Sequence, residues 1–317
     1  MFGLRLYLAD QKYRLGMTIE DTIEAYKRFS KSVFYKRPLG GRFGKTVLAV
    51  CRSPWYSAVK LENSVKDVLQ AAGVEVTAPL RGSHEPGCRM YVGYAHHKPS
   101  VYVKLTLHPG ARFVCTTRAA SSDSEMLRNY ETTAIEQHDF LCTIIEAGMA
   151  TAATPLLFPP VKLQQSGAVF VDGSLRRNNP IEEVINESDR IWPGRTIGCV
   201  ISIGTGRSAQ TAIDGNLSKL PGACIKAALG AQNKAEEFIK SRTGRELYES
   251  SKYFRFNVEQ GLQHLKLDEC RNFELIDAST VRYLKLSEVA AQITRCARSL
   301  ASTDAQGTRP LLRRRQI

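Results

Sequence analysis

Apolar residues recur along this chain in two periods, and the period changes from one segment to the next. Near the amino terminus Ile19, Ile23, Tyr26 and Val33 fall at helical spacing, and Thr18 followed by Asp21 has the form of a capping box. A helix is therefore predicted over 18–35, closed by Pro38, Gly40, Gly41 and Gly44. A second helix fits "LENSVKDVLQAAG", with Leu61, Val65 and Leu69 on one face and Gly73 as its stop. The stretch "GCRMYVGYAHHKPSVYVKLTLHPGARFVCTTRAA" reads as two or three strands. Over 136–153 a helix returns, rich in Ala147, Gly148, Ala150, Ala152 and Ala153 and ended by Pro155. Small side chains there admit a closely packed neighbour.

The next segments are "AVFVD", the helix "PIEEVINESDRIW" opened by Pro180, and "TIGCVISIGTG", an apolar run of the kind covered on both faces. Strand, helix, strand, with glycines just past the strand ends, is a βαβ signature, so the class is α/β. Further helices are expected over 221–241, 268–279 and 286–300. No periodic signal continues past Ala301, which makes 302–317 a basic flexible tail. With no internal repeat and no linker, 1–301 reads as one domain.

Composition narrows the picture. An apolar content of 43% is enough to bury a core, and no window holds 18 consecutive apolar residues. The start "MFGLRLYLADQKYRLGMTIED" has neither an apolar signal core nor a cleavage site, so the chain reads as soluble and cytoplasmic. Eight scattered cysteines without a CxxC pair read as reduced, buried thiols. The net charge of +13 favours an anionic partner: a phospholipid surface, nucleic acid or an acidic protein. A solvated basic surface with no dedicated ligand explains it equally well. With no RNP-like strand or Cys2His2 spacing, no nucleic acid is expected. His84, His96, His97 and His108 lie near Cys88 and Cys115, but the spacings fit no zinc pattern, and no metal is expected. "SIGTG" before Arg207 imitates the start of a dinucleotide loop; lacking the third glycine and a following helix, it reads as a strand-end turn.

Asp172 ends the strand "AVFVD", on the side of an α/β sheet where working residues gather. A carboxylate there serves as a general base, a metal ligand or a turn former, and Asp-Gly is a common turn dipeptide. Asn178 or Asn179 as N-cap, with Pro180 in the first helical position, is explained by helix initiation alone.

The wider stretch "VFVDGSLRRNNPIEEVINESDRIWPGRTIGCVISIGTG" closely resembles the aspartate region of patatin-like lipid acyl hydrolases, especially the fungal members. The resemblance continues through "GMTIEDTIEAYKRFSKSVF" and "IIEAGMATAATPLLFPPV" upstream and through "YFRFNVEQGLQHLKLDE" downstream, in matching order to about Leu300. It implies a three-layer α/β/α fold with a mostly parallel sheet, a lipid or phospholipid ester substrate and no cofactor, and the net charge adds an expectation of peripheral contact with an anionic membrane surface. It also implies a Ser-Asp dyad in which a serine attacks the ester carbonyl and the aspartate takes its proton. Carried over, the motif is Asp172, Gly173 and Ser174, with Asp172 as proton acceptor and Ser174 standing where the family has Gly or Ala.

The resemblance is incomplete. No G-x-S-x-G elbow and no G-G-G-x-R-G oxyanion loop occurs in the 317 residues. In the family the segment like "GMTIEDTIEAYKRFSKSVF" follows closely after the elbow, so the chain is expected to start just downstream of its nucleophile and to be inactive as written. A truncated reading frame, a degenerate paralogue and a chain completed by another polypeptide each fit that pattern, and a non-catalytic lipid-surface or protein-binding module is the alternative. Residues 93–112, "GYAHHKPSVYVKLTLHPGAR", interrupt what the family has as one strand and read as an insertion.

Overall fold

The computed structural model describes residues 18–34, 54–81, 111–131, 140–155, 157–173, 177, 179–206, 232–263, 265 and 270–307. Residues 93–110 of the expected insertion, the four histidines near Cys88, Ser174, Asn178, 221–231 and 308–317 lie outside them.

Helix α1 (Ile19–Val33) opens on the predicted capping box: the Asp21 N–H donates to Thr18 Oγ1 at 3.1 Å and the Thr18 N–H to Asp21 Oδ2 at 3.3 Å. Its buried row is Ala25, Phe29 and Val33, whereas Ile23 stays 41% exposed. The apolar face is rotated from the expected one because this i, i+4 row meets α2 (Ala58–Ala71). Leu61, Val65 and Leu69 of α2 are each 1% exposed, as the spacing predicts. Gly73 closes α2 at φ +70°, its N–H donating to Gln70 O at 3.0 Å. Phe34 and Phe158 flank Tyr56 in the same cluster, with ring centroids 5.1 and 5.8 Å from it.

Four strands form an antiparallel sheet: β1 (Phe113–Arg118), β2 (Ser124–Arg128), β3 (Val161–Lys162) and β4 (Val169–Asp172), in the order β2-β1-β4-β3. The small-residue helix α3 (Ile144–Ala152) lies against it, with Ile144, Ala147 and Ala150 fully buried. It begins later than the expected residue 136. The chain through Cys142 and Thr143 is held extended against Pro79 instead, the Leu80 N–H donating to Cys142 O at 2.8 Å and the Ile144 N–H to Ala78 O at 3.0 Å. A second capping box, Thr143 with Glu146, then starts the helix.

Helix α4 (Ile181–Ile191) leads to β5 (Val200–Ile203), which pairs in parallel with β6 (Tyr253–Phe256). The βαβ expectation for β4-α4-β5 needs correcting, because β1 and β3 already occupy both edges of β4 and leave β5 none to join. Among the described residues the parallel pair is β5 with β6, and helical residues 232–240 and α5 (Arg242–Glu249) lie between them in the chain. Ile181, Ile185, Val200, Phe238, Leu247 and Tyr253 form the core on one face of that pair. On its other face Ile201 is half-buried and Ile203, the last residue of the strand, is 44% exposed. Helices α6 (Phe273–Leu284) and α7 (Ser287–Gly307) complete the order, and α7 continues past the Ala301 boundary. The class is α/β. Among the described residues no helix is long and apolar enough to cross a membrane.

Candidate active site

Asp172 closes β4, paired in register with Thr116 of β1, and is 2% exposed. Its backbone is held from two sides: the Asp172 N–H donates to Ala153 O at 3.0 Å, and Thr117 Oγ1 donates to Asp172 O at 3.3 Å. The side chain is held as well, since Thr154 Oγ1 donates to Asp172 Oδ2 at 2.5 Å. Thr154 follows α3 and is 4% exposed, so its hydroxyl orients the carboxylate and is not presented to a substrate. The close approach of α3 makes this contact available, and its alanines permit the approach. Thr151 Oγ1 seals the same seam by donating to Cys115 O at 3.0 Å.

The glycine after Asp172 serves proximity. A Cβ at Gly173 would lie 2.5 Å from both the backbone carbon and oxygen of Cys115, which no side chain tolerates. The chain then turns, the Arg177 N–H donating to Gly173 O at 2.7 Å. Of the three motif residues the structure thus describes Asp172 and Gly173.

Charge around the turn is partly compensated. Arg177 pairs with Glu183 of α4, yet burial pushes the Glu183 carboxyl up against that pull. Burial, followed by the charge of Glu183, pushes the Cys115 thiol up to about 12. Cys115 is a neutral thiol and no nucleophile at ordinary pH.

Helix α4 is positioned by groups that the sequence does not advertise. Its N-cap is Pro180, without a side-chain cap bond, which corrects the expectation that Asn178 or Asn179 caps it. Asn179 is turned inward, 8% exposed, and accepts from Ser202 Oγ of β5 at 3.5 Å. At the other end Glu187 accepts from Arg128 of β2 through two bonds, Nε to Oε2 at 2.8 Å and Nη2 to Oε1 at 3.0 Å. Arg190 Nη1 adds a bond at 2.8 Å, and the Tyr130 hydroxyl donates to Glu187 Oε2. Burial alone would raise the Glu187 carboxyl, but Arg128 and Tyr130 overcome it and hold it below the ordinary value. This network bolts α4, and with it the segment after Asp172, to the antiparallel sheet.

A buried carboxylate at a strand end, fixed at its backbone and at one oxygen, is suited to accept a proton from a group brought to it. Among the described residues no group of three or more His, Cys, Asp or Glu side chains is arranged to hold a metal ion. Thr154, Arg128 and Glu187 escaped the sequence reading. The first sits within the resembling segment "IIEAGMATAATPLLFPPV" with no distinguishing pattern, and the other two are paired across 59 positions.

Comparison with known proteins bears on the same residues. The family model described as patatin-like phospholipase matches residues 12–185. Calcium-independent phospholipase A2-gamma of Homo sapiens is 23% identical over 278 residues, covering 86% of this chain and 32% of that protein. The Rattus norvegicus protein of that name is 27% identical over 145 residues, covering 45% of this chain and 18% of that protein. The Mus musculus one is 30% identical over 138 residues, covering 41% and 16%. The chain thus spans 32% or less of the length of these curated relatives.

Proposed function

This chain belongs to the patatin-like phospholipase family, and on that premise we propose that Asp172 is the proton acceptor of a lipid acyl ester hydrolase site. The observation that carries the reading is the setting of the carboxylate: 2% exposed at the end of β4, with Thr154 Oγ1 at 2.5 Å from Oδ2. A hydroxyl attacks an ester carbonyl well only when a nearby base takes its proton, and backbone donors must meet the oxyanion that forms. In the proposed reaction a serine oxygen bonds to the acyl carbon as its proton passes to Asp172. The ester C–O bond then breaks, the alcohol leaves with a proton, and water releases the fatty acid. The substrate is a phospholipid or acylglycerol, met at an anionic membrane surface from the cytoplasmic side. The named relatives are calcium-independent, and no step of this route needs a metal.

The 317 residues contain no G-x-S-x-G, so the attacking serine of the dyad is not among them. The polypeptide of these residues is therefore expected neither to turn over esters by this route nor to react with a fluorophosphonate probe. Joined to an amino-terminal segment supplying the glycine-rich loop and the elbow, it is expected to do both, and Asp172→Asn in that longer form lowers turnover by about 10²–10⁴-fold. Brisk ester turnover by the 317-residue chain itself, abolished by Asp172→Asn, would overthrow the reading.

A second reading has its own observation. Helices α6 and α7 and the two residues between them expose Leu275, Val281, Leu284, Leu286 and Ile293 beside exposed Arg282, Lys285, Arg295 and Arg298. That mixture suits a non-catalytic module resting on an anionic lipid surface. Salt-sensitive sedimentation of the chain with acidic vesicles, together with silence toward the probe in the extended form, would favour it.

A further inference from the structure

Beyond the Asp172 site, the parallel pair buries a polar cluster in which the one ionised group is cationic. Ser202 of β5 and Arg255 of β6 are register partners and share a face with Tyr253, two residues back. Arg255 Nη1 donates to Ser202 Oγ at 2.8 Å, and Ser202 Oγ donates to Asn179 Oδ1 at 3.5 Å. Ser202, Asn179 and Tyr253 are each at least nine-tenths buried, at 8%, 8% and 4% exposure. The cluster is thus a guanidinium, two hydroxyls and an amide. Among the described residues no carboxylate pairs with Arg255, and its Nε is buried without a hydrogen-bond partner.

Arg255 is half-buried, with its Nε sealed from solvent, and a cation drawn that far into the fold is ordinarily met by an opposite charge. Burial holds the Arg255 guanidinium below its ordinary value, and only Tyr253 and Tyr283 pull the other way. Ser202 and Arg255, each next to last in its strand, also sit where ligands of open α/β sheets are found, toward the carboxyl end of a parallel strand pair, with Tyr253 one step behind on the same face. The "GTG" turn that follows β5 is shaped around it. A Cβ at Gly204 would lie 2.9 Å from Arg255 Nη2, so a side chain there would crowd the guanidinium. Gly206, at φ +101°, donates its N–H to Asn257 Oδ1 at 2.9 Å and pins the turn beside the cluster. A planar fork of N–H donors next to hydroxyl donors is the chemistry that recognises a tetrahedral oxyanion.

We infer that Arg255, with Ser202, Tyr253 and Asn179, forms a binding site for a phosphoryl oxyanion at the carboxyl end of β5 and β6. The anion supplies the negative charge that the guanidinium lacks, and the buried Nε–H senses its arrival. The same chemistry is offered by free phosphate and by the phosphomonoester headgroup of a lipid, and the experiment separates the two. The full 317-residue chain, labelled with ¹⁵N at arginine, is titrated with inorganic phosphate at constant ionic strength, and in parallel with vesicles of phosphatidic acid or of phosphatidylcholine. The Arg255 Nε–H resonance, identified by its absence from Arg255→Lys, is expected to shift to saturation. Saturation by phosphate identifies a soluble ligand, and saturation only by phosphatidic acid vesicles identifies a lipid headgroup. Ser202→Ala, which removes one hydroxyl, is expected to weaken the interaction about tenfold. A resonance that stays fixed under all three titrations, while signals of the basic tail move, overturns the inference. So does a midpoint unchanged in Ser202→Ala.

Discussion

Arg128 and Arg255 are both strand arginines with buried donors, and the protein meets them in opposite ways. Arg128, on the antiparallel sheet, is 3% exposed and forms a two-bonded fork with Glu187 that Arg190 and Tyr130 complete. Arg255, on the parallel pair, meets a serine hydroxyl. Burial depresses both guanidinium groups, but Glu187 more than restores Arg128, whereas two tyrosines leave Arg255 depressed. The contrast separates two uses of a strand cation. A closed pair fastens α4 behind the proposed base, while an open one is a place for an anion to bind.

Removing each arginine in turn is expected to have the largest and most unequal effects. Arg128→Met strands Glu187 without its fork and is expected to destabilise by about 3–5 kcal/mol in urea unfolding. Arg255→Met deletes a charge that lacks a partner and is expected to cost about 1 kcal/mol or less without phosphate. Equal losses in the two variants would erase the distinction.

The two strand-end glycines sharpen it next. Gly173→Ala drives a Cβ against the Cys115 backbone, which cannot yield, and is expected to cost about 3 kcal/mol. Gly204→Ala drives one against Asn257 Oδ1 and Arg255 Nη2, side-chain ends that can swing away, and is expected to cost about 1 kcal/mol. Thermal denaturation of both variants ranks them, and the reverse order would mean that the "GTG" turn is the more rigid of the two.

The smallest effect is a pH dependence with opposite signs at two glutamates of α4. Glu187 is held below the ordinary 4.5, so its contribution is present above that value and is lost as pH falls through the lower, folded value. Glu183 is raised above 4.5, so folding favours its protonated form, and stability is lost as pH rises from 4.5 through the raised value. Glu187→Gln is expected to flatten the acid limb of a stability-against-pH curve and Glu183→Gln the limb above it. Superimposable curves for wild type and Glu187→Gln would show that the network does not stabilise the charge.

Part of the site was legible from the residues alone. Asp172 stood out because a strand pattern ended on it and the surrounding segment resembled a known aspartate region. Gly173 was read as a turn former and proved to be a contact point. Thr154 lies 18 positions from the carboxylate it holds, and Ser202 lies 53 positions from Arg255, separations at which no periodicity or spacing rule operates.

Local features were written in the chain: the capping box of α1, the stripe of α2, the glycine that ends it, and the strand that delivers Asp172. Those features rest on groups within about four residues of one another, so their energetics are written in adjacent letters. Packing in three dimensions settled which strands share an edge, which glycine touches backbone and which touches side chain, and which strand arginine finds its acid. Each of those outcomes depends on surfaces meeting from distant parts of the chain. A strand edge, once occupied, is closed to every other candidate.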